Sequence, residues 1–436
     1  MSDLAVGGGI VAGLVFLVIA GLHVPTTLLL LSFVGAWILR GSADVAFSFT
    51  AQAAKDAIAS HDFGVVPLFV LMGMIVSEAR IGHDLFAFAH RLFRNLKGSL
   101  GVATVFANAL FASITGVSIA SAAVFSRVSV PIMMNYGYTA SFATGVVAGS
   151  SVLGMLIPPS VLMIVYSFLT NQSVGAMFIG GVLPGLLLAS VFTLGIVAMA
   201  YLTPKFIWAE KRRMDDVDEE PLWILALRLG PVVALVTLML GGLYAGFFTA
   251  TEAGAVGAAG ALLLALPRRL LTWRSFWRML IETGHITVSV LFLIICANLY
   301  SRTLSLSGLP QEIVSTIVSQ DVGALTFVLI YVCIIFLLGC LIDSVSIMLI
   351  VVPVMLPVAM AFNLDLVWFG IVTVIAVEVG LLTPPFGIVV YVVRSSVNLP
   401  DIGVRQIFAG SAPFFVMMLI VLALVIWFPR LVTAPL

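Results

Sequence analysis

The sequence predicts an all-α polytopic membrane protein made of two inverted repeats. Each repeat holds a re-entrant helical hairpin and an interrupted, unwound transmembrane helix. Three observations carry this. Of 436 residues, 62% are hydrophobic and only 9% are charged, with a mean hydropathy of +1.22, against about 25% charged in an ordinary soluble domain. The 20 basic and 20 acidic residues cannot cover the surface of a soluble protein this large. Second, two apolar segments are too long for one helix and too short for two helices with a normal loop. Third, the chain's halves repeat each other's punctuation. Soluble enzymes, disulfide scaffolds and nucleic-acid binders are excluded, and membrane lipid is the expected surroundings.

Taken in order, apolar runs able to cross or re-enter roughly 30 Å of hydrocarbon lie at about 6–22, 24–39, 63–78, 99–134, 140–170, 174–202, 222–247, 250–266, 283–300, 321–360, 366–397 and 411–429. The first has no basic residue before it and carries Asp3, so it reads as a span and not as a cleaved signal. Run 99–134 has SITGVSIAS (Ser113 to Ser121) at its middle, and run 321–360 has GCLIDSVS (Gly339 to Ser346). Polar, small residues at membrane depth mark re-entrant hairpins, because irregular backbone is tolerated there only against protein or a wet cavity. Cys296, Cys333 and Cys340 lie in apolar runs with no metal-ligand spacing and read as buried small hydrophobes. His285 and the loop histidines form no cluster.

Charge placement supports the hairpins. If both return to their starting side and the N-terminus is outside, loops 79–98, 203–221, 267–282 and 398–410, with Arg228 and Arg394 beside them, hold 15 of the 20 Lys and Arg. Arg40, Lys55, Arg302 and Arg430 fall opposite, and Arg127 lies in the first hairpin. This is a positive-inside distribution that places both termini outside. A single crossing at 99–134 would put basic loops 79–98 and 203–221 on opposite sides. The segment Arg80 to Gly98 alternates apolar and basic residues at helical spacing, as an amphipathic arm along the interface does. Thr203 to Leu222 is a charged linker, read as a solvated loop.

The repeat appears after each hairpin. GMLIPPS (Gly154 to Ser160) follows the first and GLLTPPFG (Gly380 to Gly387) the second, with Gly154 and Gly380 226 positions apart and hairpin prolines Pro131 and Pro353 222 apart. The first hairpin enters from the cytoplasm and the second from outside, so the repeats are inverted. Inverted repeats with broken helices around a midplane site are the signature of a secondary transporter. Proline cannot donate a backbone N–H. Pro158 and Pro159 therefore leave the carbonyls of Gly154 and Met155 unpaired, and Pro384 and Pro385 those of Gly380 and Leu381. Such groups are costly in a membrane, and a small hard cation satisfies them with oxygen ligation. Thr115, Ser118 and Thr383 add hydroxyls. The alternative is a simple kink whose carbonyls are met by water or neighbouring hydroxyls; two matched Pro-Pro breaks, each beside a polar tip, favour the cation.

Ionisable residues in the membrane are functional candidates. Asp343 and Glu378 either coordinate a cation indirectly, orient the unwound backbone, carry a proton, or act structurally as a half-helix cap or as a partner of Arg127 or Arg302. Glu252 reads as structural. Arg127 is a candidate for receiving an anionic substrate, or else forms an ion pair within its hairpin. No H-E-x-x-H, G-x-S-x-G or paired catalytic Asp motif occupies a span, so the chain is not expected to be an enzyme. A channel suits two gated, repeat-related sites less well than alternating access does.

The stretches FASITGVSIASAAVFSRVSVPIM, GVVAGSSVLGMLIPPSVLMIVYSFLTNQSVGAMFIGGVLPGLLL, TATEAGAVGA, and LGCLIDSVSIMLIVVPVMLPV running on to EVGLLTPPFG resemble, in this order, the large membrane subunit of tripartite ATP-independent periplasmic (TRAP) transporters. The resemblance implies a bacterial inner-membrane, sodium-coupled importer of an organic acid anion, with an elevator-type motion of a transport domain against a scaffold. It implies two partners, a small four-helix membrane subunit and a periplasmic substrate-binding protein. It also implies a first sodium site at Thr115, Ser118, Gly154, Ile157 and Pro159, and a second at Gly339, Gly380, Thr383 and Phe386. The tip Thr115-Gly116-Val117-Ser118 departs from the usual Ser-Gly-Ser-Ser run, shifting ligation there toward backbone. Apart from the resemblance, the membrane-embedded ionisable residues Arg127, Asp343 and Glu378 are the candidates for substrate contact. The expected organisation is scaffold spans over 1–62, the first repeat over 63–202, the charged linker over 203–222, scaffold spans and a basic cytoplasmic arm over 223–282, and the second repeat with the last span over 283–436. A stand-alone ion-coupled di- or tricarboxylate carrier, also built on hairpins and unwound helices, is the alternative within the class.

Overall fold

A computed structural model of the chain describes residues 2–59, 64–209, 221–268, 271–320, 322–397, 399 and 402–435. Among them the secondary structure is helical, with one isolated antiparallel bridge, Tyr138 to Trp208. Most of the charged linker, 210–220, lies outside the described residues.

Helices α1 (Asp3–Ile19) and α2 (Val24–Arg40) pack antiparallel, with Gly13 meeting Leu31 and Gly35 meeting Ile10. Helix α3 (Ala43–Ala59) matches no predicted span. It is amphipathic, packs on α2 through Phe33 and Phe47 (ring centroids 4.8 Å), and adjoins the long α15 (Trp273–Ser307). Helices α4 (Val65–Glu78) and α5 (Ile81–Phe93) meet at a 67° bend. The bend is at Arg80, in the left-handed region. Helix α5 is the expected amphipathic arm, burying Ile81, Leu85, Phe86 and Ala89.

The run 99–134 is two helices, α6 (Ser99–Thr115) and α7 (Ser118–Asn135). On one straight helix Thr104 and Met133 would be about 43 Å apart. Their side chains instead lie 3.8 Å apart, and Phe111 stacks edge-on with Phe125, so the chain folds back on itself. Both ends of the hairpin reach the same face: Lys97 sits 4.1 Å over the Tyr201 ring, and Tyr138 bridges to Trp208. The run 140–170 comprises α8 (Ala140–Ser151), α9 (Leu153–Leu156) and α10 (Val161–Thr170), bent by 40°. Helix α11 (Val174–Leu202) and the short α12 (Pro204–Ile207) complete the first half.

Helices α13 (Leu222–Tyr244) and α14 (Ala250–Ala265) follow. The sequence places a loop over 267–282 and a span from 283; α15 is instead one continuous 35-residue helix across that boundary. Its polar first turns read as loop only because hydropathy ignores a capping box, here Thr272 with Ser275. Arg268 pairs with Asp84 at 2.5 Å, joining two basic loops on one face. After α16 (Leu309–Ser319), run 321–360 forms α17 (Ala324–Gly339) and α18 (Ser344–Ala361). Phe327 and Phe362 ring centroids are 5.6 Å apart, so this segment also folds back. Helices α19 (Leu366–Leu381) and α20 (Ile388–Ser396) flank the second break; α21 (Val404–Trp427) and α22 (Arg430–Thr433) end the fold.

Among the described residues five helices are long and apolar enough to cross a membrane, or seven where each of two bent pairs counts as one span. The core lies at the broken helices. Every residue from Val367 to Leu381 is buried, which a helix apolar on all sides requires. Cys296 and Cys340 are buried as expected. Cys333 is not: it lies on the exposed flank of α17, where an apolar surface facing lipid needs no burial in protein.

Candidate functional site

At the first junction the tip of hairpin α6–α7 meets the break between α9 and α10. Gly116 ends α6 at φ 63°, and its carbonyl accepts the N–H of Val161 at 3.2 Å, across the junction. A Cβ there would lie 2.5 Å from the Pro159 carbonyl oxygen, so this contact requires glycine. From the other side Gly154 presses on the tip: a Cβ on it would stand 3.0 Å from the Ser118 nitrogen. Thr115, Ser118, Gly154 and Pro159 are thus brought together, and Ile157 sits in the break, against Gly185. The Thr115 hydroxyl donates to the Phe111 carbonyl at 3.1 Å, leaving its oxygen lone pairs for another partner. The Gly154 carbonyl accepts no hydrogen bond from the described residues, as the proline argument expects. Ser160 caps α10, accepting from the Met163 N–H.

At the second junction Gly339 and Gly380 touch backbone to backbone; a Cβ on either would lie 2.7 Å from the other's Cα. Here the freed-carbonyl expectation needs correction. The Gly380 carbonyl accepts the Thr383 N–H at 2.9 Å. Pro384 removes the donor four residues on, and the chain tightens into a three-residue turn that finds another. The Leu381 carbonyl accepts none among the described residues. The Thr383 hydroxyl donates to the Val379 carbonyl at 2.8 Å. The Pro158-Pro159 and Pro384-Pro385 peptide bonds are both cis. Phe386 is half exposed and lines a cavity of about 700 Å³ with Leu341, Tyr391 and Arg394, at the face of the basic loops. A second cavity, of about 870 Å³, opens at the opposite face, lined by Ser167, Asn171, Gln172, Thr249 and Asn298.

The candidate charges separate clearly. Asp343 caps α18: the Ser346 N–H donates to its Oδ2 at 3.1 Å and the Ser346 hydroxyl to its Oδ1. Of the readings open to it, the half-helix cap is the one visible in this geometry. Glu252 completes a capping box with Thr249. Arg302 pairs with Asp56 at 2.8 Å, not with Asp343 or Glu378. Arg127 is exposed on α7, and no ion pair within the hairpin forms among the described residues. Glu378 is different. It is 1% exposed, its Oε2 accepts the Ser118 hydroxyl at 2.8 Å, and its Oε1 has no hydrogen-bond partner. Sequence reasoning missed the bridging role of Gly116, although a lone glycine between Thr115 and Val117 at a hairpin centre is its signal. It also missed the Ser118–Glu378 pair, for which a single sequence carries no signal.

Residues 11–431 match the family described as the tripartite ATP-independent periplasmic transporter, DctM component. The chain is similar to the sialic acid TRAP transporter large permease protein SiaM of Vibrio cholerae, 31% identical over 97% of this chain and 96% of that one. It is similar to the C4-dicarboxylate large permease DctM of Pseudomonas aeruginosa, 31% identical over 84% and 83%. The ectoine large permease TeaC of Halomonas elongata is 31% identical over 84% of each. In fold it resembles the Alcanivorax borkumensis YdaH transporter, with a TM-score of 0.62 at 14% identity over 89% of each chain. These relatives are permease subunits and not enzymes. The chain is a multi-pass membrane protein and belongs to the DctM component family, the large permease subunits of tripartite ATP-independent periplasmic transporters.

Proposed function

We propose that this chain is the translocating subunit of a sodium-coupled importer of an organic acid anion in a bacterial inner membrane. A periplasmic binding protein delivers the substrate, and a small four-helix subunit braces the scaffold. C4-dicarboxylate, sialic acid and ectoine are the substrates named for its relatives, and the class they share is a small carboxylate. The observation that carries the reading is the pair of junctions where a hairpin tip meets a proline-broken helix. Each supplies oxygens suited to a hard monovalent cation: the Thr115 and Ser118 hydroxyls with the Gly154 and Ile157–Pro159 backbone, and the Thr383 hydroxyl with the Gly339, Gly380 and Phe386 backbone.

Two inverted repeats account for the packing. Arm α7 of the first hairpin packs on α20 of the second half, and arm α18 of the second packs on α10 of the first. The Tyr166 hydroxyl donates to the Leu366 carbonyl at 2.7 Å, again across the halves. The hairpins and broken helices thus move as one transport body against the scaffold of α1–α4 and α13–α16, in an elevator-type cycle. The basic loops face the cytoplasm and both termini the periplasm.

Reconstitution with the small subunit in liposomes, with binding protein and labelled substrate outside, tests this. Uptake should require an inward sodium gradient. Uptake indifferent to sodium would end the coupling proposal, and uptake without binding protein would favour a stand-alone carrier.

A further inference from the structure

We infer that Glu378 supplies one buried negative charge shared by the two proposed cation sites, and that it makes their occupancy interdependent. The inference rests on the sodium-coupled reading and adds the group that joins the sites. Among the described residues Glu378 is the only Asp, Glu, Lys, Arg or His that is fully buried. It forms no ion pair with any of them. Only one of its oxygens is hydrogen-bonded, and the other is orphaned. A buried carboxylate without a counter-charge is strongly unfavourable, so the site as built calls for a cation.

Its position says which. Glu378 lies two residues before Gly380, on the helix that frames the second junction. Its carboxylate reaches Ser118, whose nitrogen faces Gly154 in the first. The side chain therefore belongs to both junctions at once. In a low-dielectric interior its charge acts on a cation in either. Apart from Asp343, whose exposed carboxylate is taken up in capping α18, the two tips offer only hydroxyls and carbonyls, which carry no net charge. An ion at the first junction fixes the tip that holds the carboxylate. That carboxylate in turn fixes the end of α19, where the second junction is assembled. Glu378 acts through these residues as a positioning group.

The test measures half-saturating sodium, by uptake in proteoliposomes and by sodium-dependent thermal stabilisation of the purified complex with its small subunit. Glu378→Gln keeps the shape and an acceptor for Ser118 while removing the charge. It should raise half-saturating sodium about tenfold or more and lower the steepness of the sodium response, with uptake recovering at saturating sodium. Glu378→Asp, which keeps the charge, should recover part of the affinity even if the Gln variant folds poorly. A double-mutant cycle separates joining from mere stability. Thr115→Ala and Thr383→Ala touch different junctions and not Glu378; their effects on half-saturating sodium should be non-additive in the native background and additive in the Glu378→Gln background. Sodium-coupled uptake with an unchanged sodium response in Glu378→Gln, or an additive cycle in the native background, overturns the inference and leaves the transport reading standing. A native protein that ignores sodium overturns both.

Discussion

The Ser118 hydroxyl donates to the Glu378 carboxylate at 2.8 Å, joining residues 260 positions apart. The first turn of α7 and the last turns of α19 are therefore held by one buried hydrogen bond. Because each of these turns faces its own helix break, the bond sets the distance between the two junctions.

Removing the donor gives the first prediction. Ser118→Ala leaves Glu378 with neither oxygen paired among the described residues, and an unsatisfied buried acceptor costs about 1–3 kcal/mol, with charged groups at the upper end. Thermal unfolding of the detergent-solubilised complex should shift down accordingly, and sodium should restore part of the loss. A variant as stable as the native protein would mean that the bond carries no energy.

Gly116 sets a second prediction. Alanine there must adopt φ 63° and meet the Pro159 carbonyl oxygen at 2.5 Å. The left-handed conformation alone costs roughly 1–2 kcal/mol, and the clash adds to it. Gly116→Ala should reduce folded yield and abolish uptake. Gly8→Ala is the control: it lies in α1 with nothing within 4 Å of the added carbon, and should change stability by less than about 1 kcal/mol. Fluorescence-detected size exclusion on both variants reads the difference.

The hairpins and breaks were legible because hydropathy, small polar residues and Pro-Pro pairs are local signals. Positive-inside counting predicts their direction, and the ion pair of Arg268 with Asp84 holds two of the basic loops at one face. Helices α3 and α16 were not legible as elements, since a half-polar surface helix leaves no apolar run. The Asp343 cap was readable in principle from Asp343 and Ser346 at capping spacing. The Gly380 carbonyl was misread because counting four residues ahead misses a three-residue turn. Glu378 was visible as a charge in an apolar helix, but its partner depends on how two distant segments pack.

Thr383 separates ligation from folding. Its hydroxyl donates only to Val379, four residues back in the last turn of α19, a local bond whose loss costs about 1 kcal/mol or less. Thr383→Ala should therefore keep native thermal stability without sodium, yet raise half-saturating sodium severalfold. Thr383→Ser, which restores the oxygen, should recover it. Equal sodium responses in the alanine and native proteins would remove Thr383 from the second site.

Orientation is the last prediction. Basic loops holding Lys97 and Lys205 gather at one face, where Lys97 covers Tyr201. At the other end of α11, Gly180 meets Val432 near the C-terminus, while Gly7 meets Ser307 and Leu309 near the N-terminus. Both chain ends therefore lie opposite the basic loops. In a cysteine-free background, required because Cys333 is exposed, Glu312→Cys and Arg430→Cys should react in intact spheroplasts with a membrane-impermeant thiol reagent. Lys205→Cys and Arg274→Cys should react only after permeabilisation. Charge bias fixes helix orientation during insertion, so the opposite labelling pattern would invert every sidedness drawn from these loops, including the face on which each cavity opens.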